Sequence, residues 1–400
     1  MKSVAAGFVV LLSAAVLAQA PTGPSPRVSG VVVLPPGVQG RDVNQAAQAP
    51  AQIPYTPAHL QAPRDPGYAA LIATCKTPPP QAAPRGGGAP AAGARPGGAA
   101  PAAPAGAAPG RAGGAPGTPA EYTVTEIPGV IAAGQRWKLE WQVDGNNADG
   151  ILADTDGALL LAQNDNGAIV KLVNGQVTTL FRDLNTSGAL SRNTKGATFI
   201  VERGLHNDVR QLTPVNRVHA NTLPNGDPFD CLGGVINDLT ADSKGGVYFT
   251  HGGLFYADPK GVVKQYGEGL RTNGVVLSPD EKVVYVTNGN SVAAFDVQAD
   301  GSLTNQRVHV MLPSGGGDGL SVDSQGRLYI TAGPALHVAA PDGKLLGSIP
   351  APVSLITAAF AGKDKKTVYA VTSLRSPDGM QRAEVYSIPM IAQGFAGRAK

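Results

Sequence analysis

A chain of 400 residues with a formal net charge of +3, from 32 Lys and Arg against 29 Asp and Glu, lacks the basic excess and the aromatic-interleaved basic runs of a nucleic-acid binder. Its 2 cysteines are too few for a disulfide-framed mini-domain, and no C-x-x-C, H-E-x-x-H, G-x-S-x-G or G-x-x-x-x-G-K sequence occurs. Thiol redox, zincin, serine-hydrolase and nucleotide-binding chemistries are therefore excluded as readings, and any catalysis rests on other groups.

In chain order, Met1 to Ala20 begins with Lys2, runs apolar from Val4 to Leu17 and ends in Ala18-Gln19-Ala20. This is the pattern of a signal peptide with a small-x-small cleavage site. The apolar run is shorter than a bilayer span needs, so we expect a secreted or periplasmic protein with no membrane span after cleavage. Residues 21–76 read as an N-terminal extension, partly ordered at most, with one short helix expected over Pro66 to Cys75. Residues 77–120 are almost entirely Ala, Gly and Pro with a few Arg, a composition that lacks the apolar bulk to offset ordering entropy, and we expect a disordered linker. Cys75 and Cys231 can pair in an oxidising compartment or stand as two free thiols, and the sequence leaves both open.

From residue 121 to 400 the pattern changes to short apolar or alternating runs punctuated by turn pairs. A phrase recurs: an Asp or Asn, a short apolar stretch, a polar turn, and a second apolar run. Its clearest copies begin at Ala148, Asn237, Thr272 and Gly317. Six second runs align on Leu160, Phe199, Tyr248, Tyr285, Tyr329 and Tyr369, spaced at roughly 40 residues, the length of one four-stranded antiparallel blade. Turns such as Asp154-Thr-Asp-Gly157 and Asp323-Ser-Gln-Gly326 carry hairpin chemistry. The expected fold is all-β, a six-bladed β-propeller, with the ring closed by a strand near Tyr122 to Glu126 beside Glu384 to Ile388. A β-sandwich explains alternating strands but not six equivalent turns at near-constant interval.

The repeat also fixes a ring of polar residues. Counting back eleven or twelve positions from each aligned residue gives Asp149, Asn237, Asn273, Asp318 and Thr357, with Gly188 in the second copy. The first strand of every propeller blade lines the central channel, so these positions converge at one mouth. Two carboxylates and two amide carbonyls are an all-oxygen donor set for a hard divalent cation, Ca²⁺ or Mg²⁺, with Mn²⁺ or Zn²⁺ as substitutes. Singly, each is an ordinary turn residue; the shared phase is what argues for a site. Three positions past each aligned residue lies a mostly polar set that includes Glu202, His251 and Asn288, read as a rim of further substrate contacts.

At these residues the chain resembles the senescence-marker-protein (regucalcin), gluconolactonase and luciferin-regenerating-enzyme family. Ile236-Asn237-Asp238 is similar to the family's Pro-Asn-Asp, Thr272-Asn273-Gly274 to its Pro-Asn-Gly, and Gly317-Asp318-Gly319 to its Pro-Asp-Gly. Thr357 replaces the usual Asn of the last-blade signature. The resemblance covers roughly residues 145–396 and implies a six-bladed propeller that binds one cation through a Glu, an Asn and an Asp and hydrolyses sugar lactones. It carries the metal ligands onto Asp149, Asn273 and Asp318 and the catalytic pair onto Asp318 and Asn237, with Asn237 facing substrate and Thr357 at the last-blade position, while His251, Glu202 and Asn288 stand as substrate contacts on the rim spacing alone. Asp149 stands where the family has Glu, Val235 where vertebrate members have a substrate-binding Arg, and His251 where gluconolactonase-type members often have Asp. The expected function is an exported, metal-dependent lactonase acting on a sugar-acid or similar small lactone. The alternatives are a non-catalytic propeller that binds a sugar, peptide or surface partner with a structural cation, and a hydrolase of phosphoesters or larger esters.

Overall fold

The computed structural model describes residues 60–79, 123–375 and 381–398. The expected signal peptide, most of the N-terminal extension and nearly all of the linker lie outside the described residues. Six four-stranded antiparallel sheets, each with its strands in meander order, form the ring of a six-bladed β-propeller. Blades 1 to 5 span residues 148–181, 187–220, 239–266, 272–311 and 320–350. Blade 6 takes Thr357–Ala361, Thr367–Arg375 and Gln381–Pro389 from the C-terminal part of the chain, and Lys138–Asp144 as its outermost strand.

That outermost strand corrects the expected closure. Residues Thr123 to Glu126 form no strand, and the closing partner of Gln381–Pro389 is Lys138–Asp144, with Val143 opposite Ala383 and Gln142 opposite Glu384. The reason is side-chain volume. In Lys138–Asp144 the apolar positions Trp141 and Val143 face inward, both 5% exposed, and pack with Ala383 and Val385 between blades 6 and 1. Val124 instead sinks into a separate core with Ile127, Val130 and Ile131 between blades 5 and 6.

All six aligned residues fall on the second strands of their blades, as the repeat required. Phe199, Tyr248 and Tyr329 are among the largest fully buried side chains, and burial of their rings is tolerated because the hydroxyls of the two tyrosines find acceptors. Tyr248 donates to Gly301 O at 2.7 Å and Tyr329 to Asp323 Oδ2 at 2.9 Å. The hairpin turns behave as their residues predict: Asp242 Oδ1 accepts from Lys244 N and Gly246 N, both at 2.8 Å, and Asp323 Oδ1 from Gln325 N at 2.9 Å.

Residues 60–79 dock beside blade 2 and on the connection from it to blade 3. Within the expected Pro66 to Cys75 helix only Tyr68–Ile72 is α-helical, preceded by a 3-10 turn at Ala62–Arg64. Cys75 and Cys231 are disulfide-bonded, with Cα atoms 5.7 Å apart. Lys76 N and Thr77 N donate to the Asp227 carboxylate at 3.0 and 3.1 Å, and Ala62 N donates to Arg203 O at 2.8 Å. Among the described residues, no helix is long and apolar enough to cross a membrane.

Candidate active site

The innermost strands of the six blades crowd around the axis, and the crowding explains the Gly that follows three of the four ring residues with oxygen-rich side chains. A Cβ on Gly150 would lie 2.5 Å from Gly188 O, one on Gly274 2.3 Å from Asp318 O, and one on Gly319 2.4 Å from Thr357 Oγ1. None of these glycines has a positive φ, so Asp149-Gly150, Asn273-Gly274 and Asp318-Gly319 are close-approach pairs rather than turns. In blade 3 the position after Asn237 is Asp238, whose carboxylate reaches across to blade 4 and accepts from Val275 N at 2.8 Å. Register irregularities at Ala148/Ile151, Ser187/Leu190 and Thr272/Val275 fall at the ring positions of blades 1, 2 and 4. Bulges of this kind re-aim side chains beside functional sites.

Asp149, Asn237, Asn273, Asp318 and Thr357 line one axial cavity. Thr357 is buried, and the other four are half-buried, open to the mouth. Their backbones are held by neighbours. Asn237 N donates to Thr250 O at 2.8 Å and Asp318 N to Thr331 O at 2.7 Å. Sequence reasoning missed a second repeated device. Thr250 Oγ1 donates to Asn273 O at 2.5 Å, Thr287 Oγ1 to Asp318 O at 3.2 Å, and Thr331 Oγ1 to Ile356 O at 2.7 Å, each pinning the ring backbone of the next blade. Its signal was a Thr two positions past each of the three aligned tyrosines of blades 3 to 5.

The ring also contains a guanidinium. Arg203, 3% exposed, contacts Asp149 Oδ2 through Nη1 and accounts for much of the polar bonding on this side of the cup. Asn237 Nδ2 in turn donates to Asn273 Oδ1 at 2.7 Å, so the polar side chains of blades 1 to 4 form one connected chain. Among the described residues no three His, Cys, Asp or Glu side chains gather as a metal-binding group, so a cation in this cup would rely on amide oxygen as well as carboxylate. The two ring carboxylates and two ring carboxamides on this cavity, with the third lining carboxylate, Asp238, turned to Val275 N, fit a hard divalent ion of that kind.

Three expected substrate contacts sit elsewhere than on the cavity lining. Glu202, 1% exposed, is engaged in structure: its Oε2 accepts from Arg210 Nε at 2.7 Å and its Oε1 from Asn185 N at 2.8 Å. Asn288 Oδ1 accepts from Arg271 N at 2.8 Å. His251 is 4% exposed, and burial pushes its imidazole down to about 4, which keeps it neutral. The three-residue step past Phe199, Tyr248 and Tyr285 leaves these side chains off the axial cavity.

A family model described as the SMP-30/Gluconolactonase/LRE-like region matches residues 227–375, a stretch that includes Asn237, Asn273, Asp318 and Thr357. The lactonase drp35 of Staphylococcus saprophyticus is 30% identical over 228 residues, which cover 51% of this chain and 68% of that protein. The chain belongs to this family. A second member, the gluconolactonase of Zymomonas mobilis, is 26% identical over 202 residues, covering 42% of this chain and 55% of the relative, so the match spans little more than half of that protein. Among solved structures, a gluconolactonase from Xanthomonas campestris superposes with a TM-score of 0.57 at 18% identity, covering 70% of this chain and 99% of that one. That likeness shows the shared propeller. Asp149 and Arg203 lie before the stretch matched by the family model, so their part in the site rests on geometry.

Proposed function

We propose that this chain is an exported lactone hydrolase that opens a sugar-acid or similar small lactone at the axial cup. One observation carries the reading: Asp149, Asn237, Asn273, Asp318 and Thr357, drawn from five blades, line a single cavity in a member of a family whose relatives are named lactonases. Asp318 is the proposed general base. It removes a proton from water as the water oxygen attacks the lactone carbonyl carbon. The ring C–O bond then breaks, and the leaving oxygen takes the proton back from Asp318, which gives the open hydroxy acid and restores the carboxylate. Asn237 positions the water or the carbonyl, and its own carboxamide is oriented by Asn273. Asp149, Asn273 and Asp318 would hold a divalent cation, with Ca²⁺ the expected occupant and Mg²⁺, Mn²⁺ or Zn²⁺ as alternatives. When bound, such an ion supplies Lewis-acid polarisation of the lactone carbonyl. Export is supported by the Cys75–Cys231 disulfide, a bond that persists in oxidising compartments.

The test is a panel of five- and six-membered sugar lactones followed with a pH indicator, with and without chelator. We expect acid release that chelator suppresses, and in Asp318→Asn a rate lower by about 10²–10⁴-fold with an unchanged melting temperature. Undiminished lactone opening by Asp318→Asn removes the assignment. No turnover on any lactone, together with loss of fold on chelation, favours the non-catalytic propeller.

A further inference from the structure

Gly188 is the gap in the ring. In blade 2 the position that carries Asp, Asn or Thr in the other five blades is a glycine, and the space beside it is filled by the side chain of Arg203 from the end of the neighbouring strand. A Cβ on Gly188 would lie 2.5 Å from Arg203 Nε and 2.8 Å from Cζ. The guanidinium occupies the ring position that blade 2 leaves empty.

A guanidinium carries five N–H donors, and here five contacts account for them. Nε donates to Ile236 O at 2.9 Å. Nη2 donates to Asn237 O at 2.5 Å and to Asn237 Oδ1 at 2.9 Å. Nη1 reaches Asp149 Oδ2, and it reaches the Asn164 amide oxygen at 3.1 Å in the orientation that lets the amide nitrogen donate to Ser187 O at 3.0 Å. The partners come from blades 1 and 3, on either side of the blade that supplies the arginine. With its donors committed, Arg203 has none to offer a substrate, and it is a positioning residue rather than a catalytic one.

Its charge matters as much as its geometry. Asp149 is one of the two ring-position carboxylates of the cup, and a guanidinium held against it at 3% side-chain exposure leaves the cup one unit less negative than its acidic residues alone would make it. We propose that Arg203 is a resident cation of the axial cup: it occupies Asp149, ties blade 1 to blade 3, and weakens the cup's affinity for a divalent cation. A divalent ion drawn to Asp149 has to compete with a charge that is already covalently part of the ring. Little solvent screens that competition, because the guanidinium is buried. The proposal rests on the same cup as the lactonase reading but not on turnover, so its test uses no substrate.

The experiment is calorimetric titration of the purified full chain with Ca²⁺ alone, comparing wild type, Arg203→Met and Arg203→Lys, with circular dichroism to verify folding. Arg203→Met is expected to bind Ca²⁺ at least about tenfold more tightly than wild type, because it frees the Asp149 carboxylate and removes the repelling charge. Arg203→Lys, which keeps the charge, is expected to stay within about threefold of wild type. A Met variant that binds no more tightly than wild type, or a Lys variant that gains as much as the Met variant, overturns the proposal. If Arg203→Met does not fold, Arg203→Gln carries the same comparison, since its amide still fills part of the space beside Gly188. A protein that opens no lactone but shows this pattern of Ca²⁺ affinities loses the enzymatic reading and keeps this one. The reverse result, lactone opening with identical affinities, does the opposite.

Discussion

His251 lies at a repeat position that suggests a substrate contact, yet its environment assigns it a different physical role. It is buried, its Nε2 has no protein partner among the described residues, and burial lowers its pKa from the ordinary imidazole value to about 4. In the unfolded chain the imidazole takes up its proton near pH 6.5, whereas the folded protein resists it until about pH 4. The unfolded state therefore binds more protons between these values. Stability contributed by keeping this group neutral is intact above pH 6.5, is lost as pH falls toward 4, and changes little below that, with a total of about 3 kcal/mol. His219, His309 and His337 are shifted downward by burial too, so the slope belongs to several groups. The difference between wild type and His251→Gln isolates this one. Melting temperatures measured from pH 7.5 to 4 should fall less steeply in the variant, and parallel curves would exclude the account. The contrast between His251 and Asn237 marks what the sequence reveals about the site. Ring residues were legible because one step of counting places them all at or just before the starts of the inner strands. Arg203 was not, because it reaches the axis from four positions past Phe199, a phase at which blades 3 to 5 carry only glycine, and its one trace at the ring was a glycine at 188.

Strands explain why the polar ring holds its shape. Dipeptides of the Asn-Gly and Asp-Gly type read as turn formers in sequence, but Gly150, Gly274 and Gly319 sit where inner strands of adjacent blades nearly touch. The same crowding lets Gly274 N donate to Asp318 O at 3.1 Å and Gly319 N to Ile356 O at 2.8 Å, so the inner ends of blades 4 and 5 are each bonded to the blade that follows. Adding one methyl at 274 forces the blade 4 and blade 5 strands apart, because the atom in the way, Asp318 O at 2.3 Å, is backbone and cannot rotate aside. Overpacking of this kind costs about 1–3 kcal/mol. Gly274→Ala is therefore expected to lower the melting temperature by roughly 2–10 °C, and to weaken lactone opening by displacing Asp318. Gly316→Ala is the control, since the nearest atom to its Cβ would be Gly289 O at 3.7 Å, an ordinary contact. If calorimetric melting separates the two variants by less than a degree, close approach is not what keeps glycine at 274.

At the scale of the whole molecule, two long-range links hold the ring and its covering segment. The six-blade architecture was readable because one residue per blade, from Leu160 to Tyr369, returns at near-constant spacing. The closing strand was less readable, since both candidate segments alternate and only the bulk of Trp141 and Val143 decides between them. The disulfide could not be read at all, because a separation of 156 residues says nothing about distance until the fold brings Cys231, in the connection from blade 2 to blade 3, against Cys75. Lys138–Asp144 seals the propeller through six paired positions, without help from residues 60–79. The disulfide instead fastens that segment, together with the bonds of Ala62 N to Arg203 O and of Lys76 N and Thr77 N to Asp227. Ala62 is buried but Lys76 and Thr77 are exposed, and so few hydrogen bonds do not hold a short strap against its conformational entropy for long. Cys231→Ser should therefore leave the propeller folded while the strap opens. Hydrogen exchange by mass spectrometry would show the amides of Ala62, Lys76 and Thr77 protected in the oxidised wild type and exchanging at least about a hundredfold faster in the variant, with the blade 5 and blade 6 strands unchanged. Equal protection in both proteins would mean that packing of Ala62 and Asp65, not the covalent link, seats the strap, whereas collapse of protection across all six blades would make the disulfide a fastening of the ring itself.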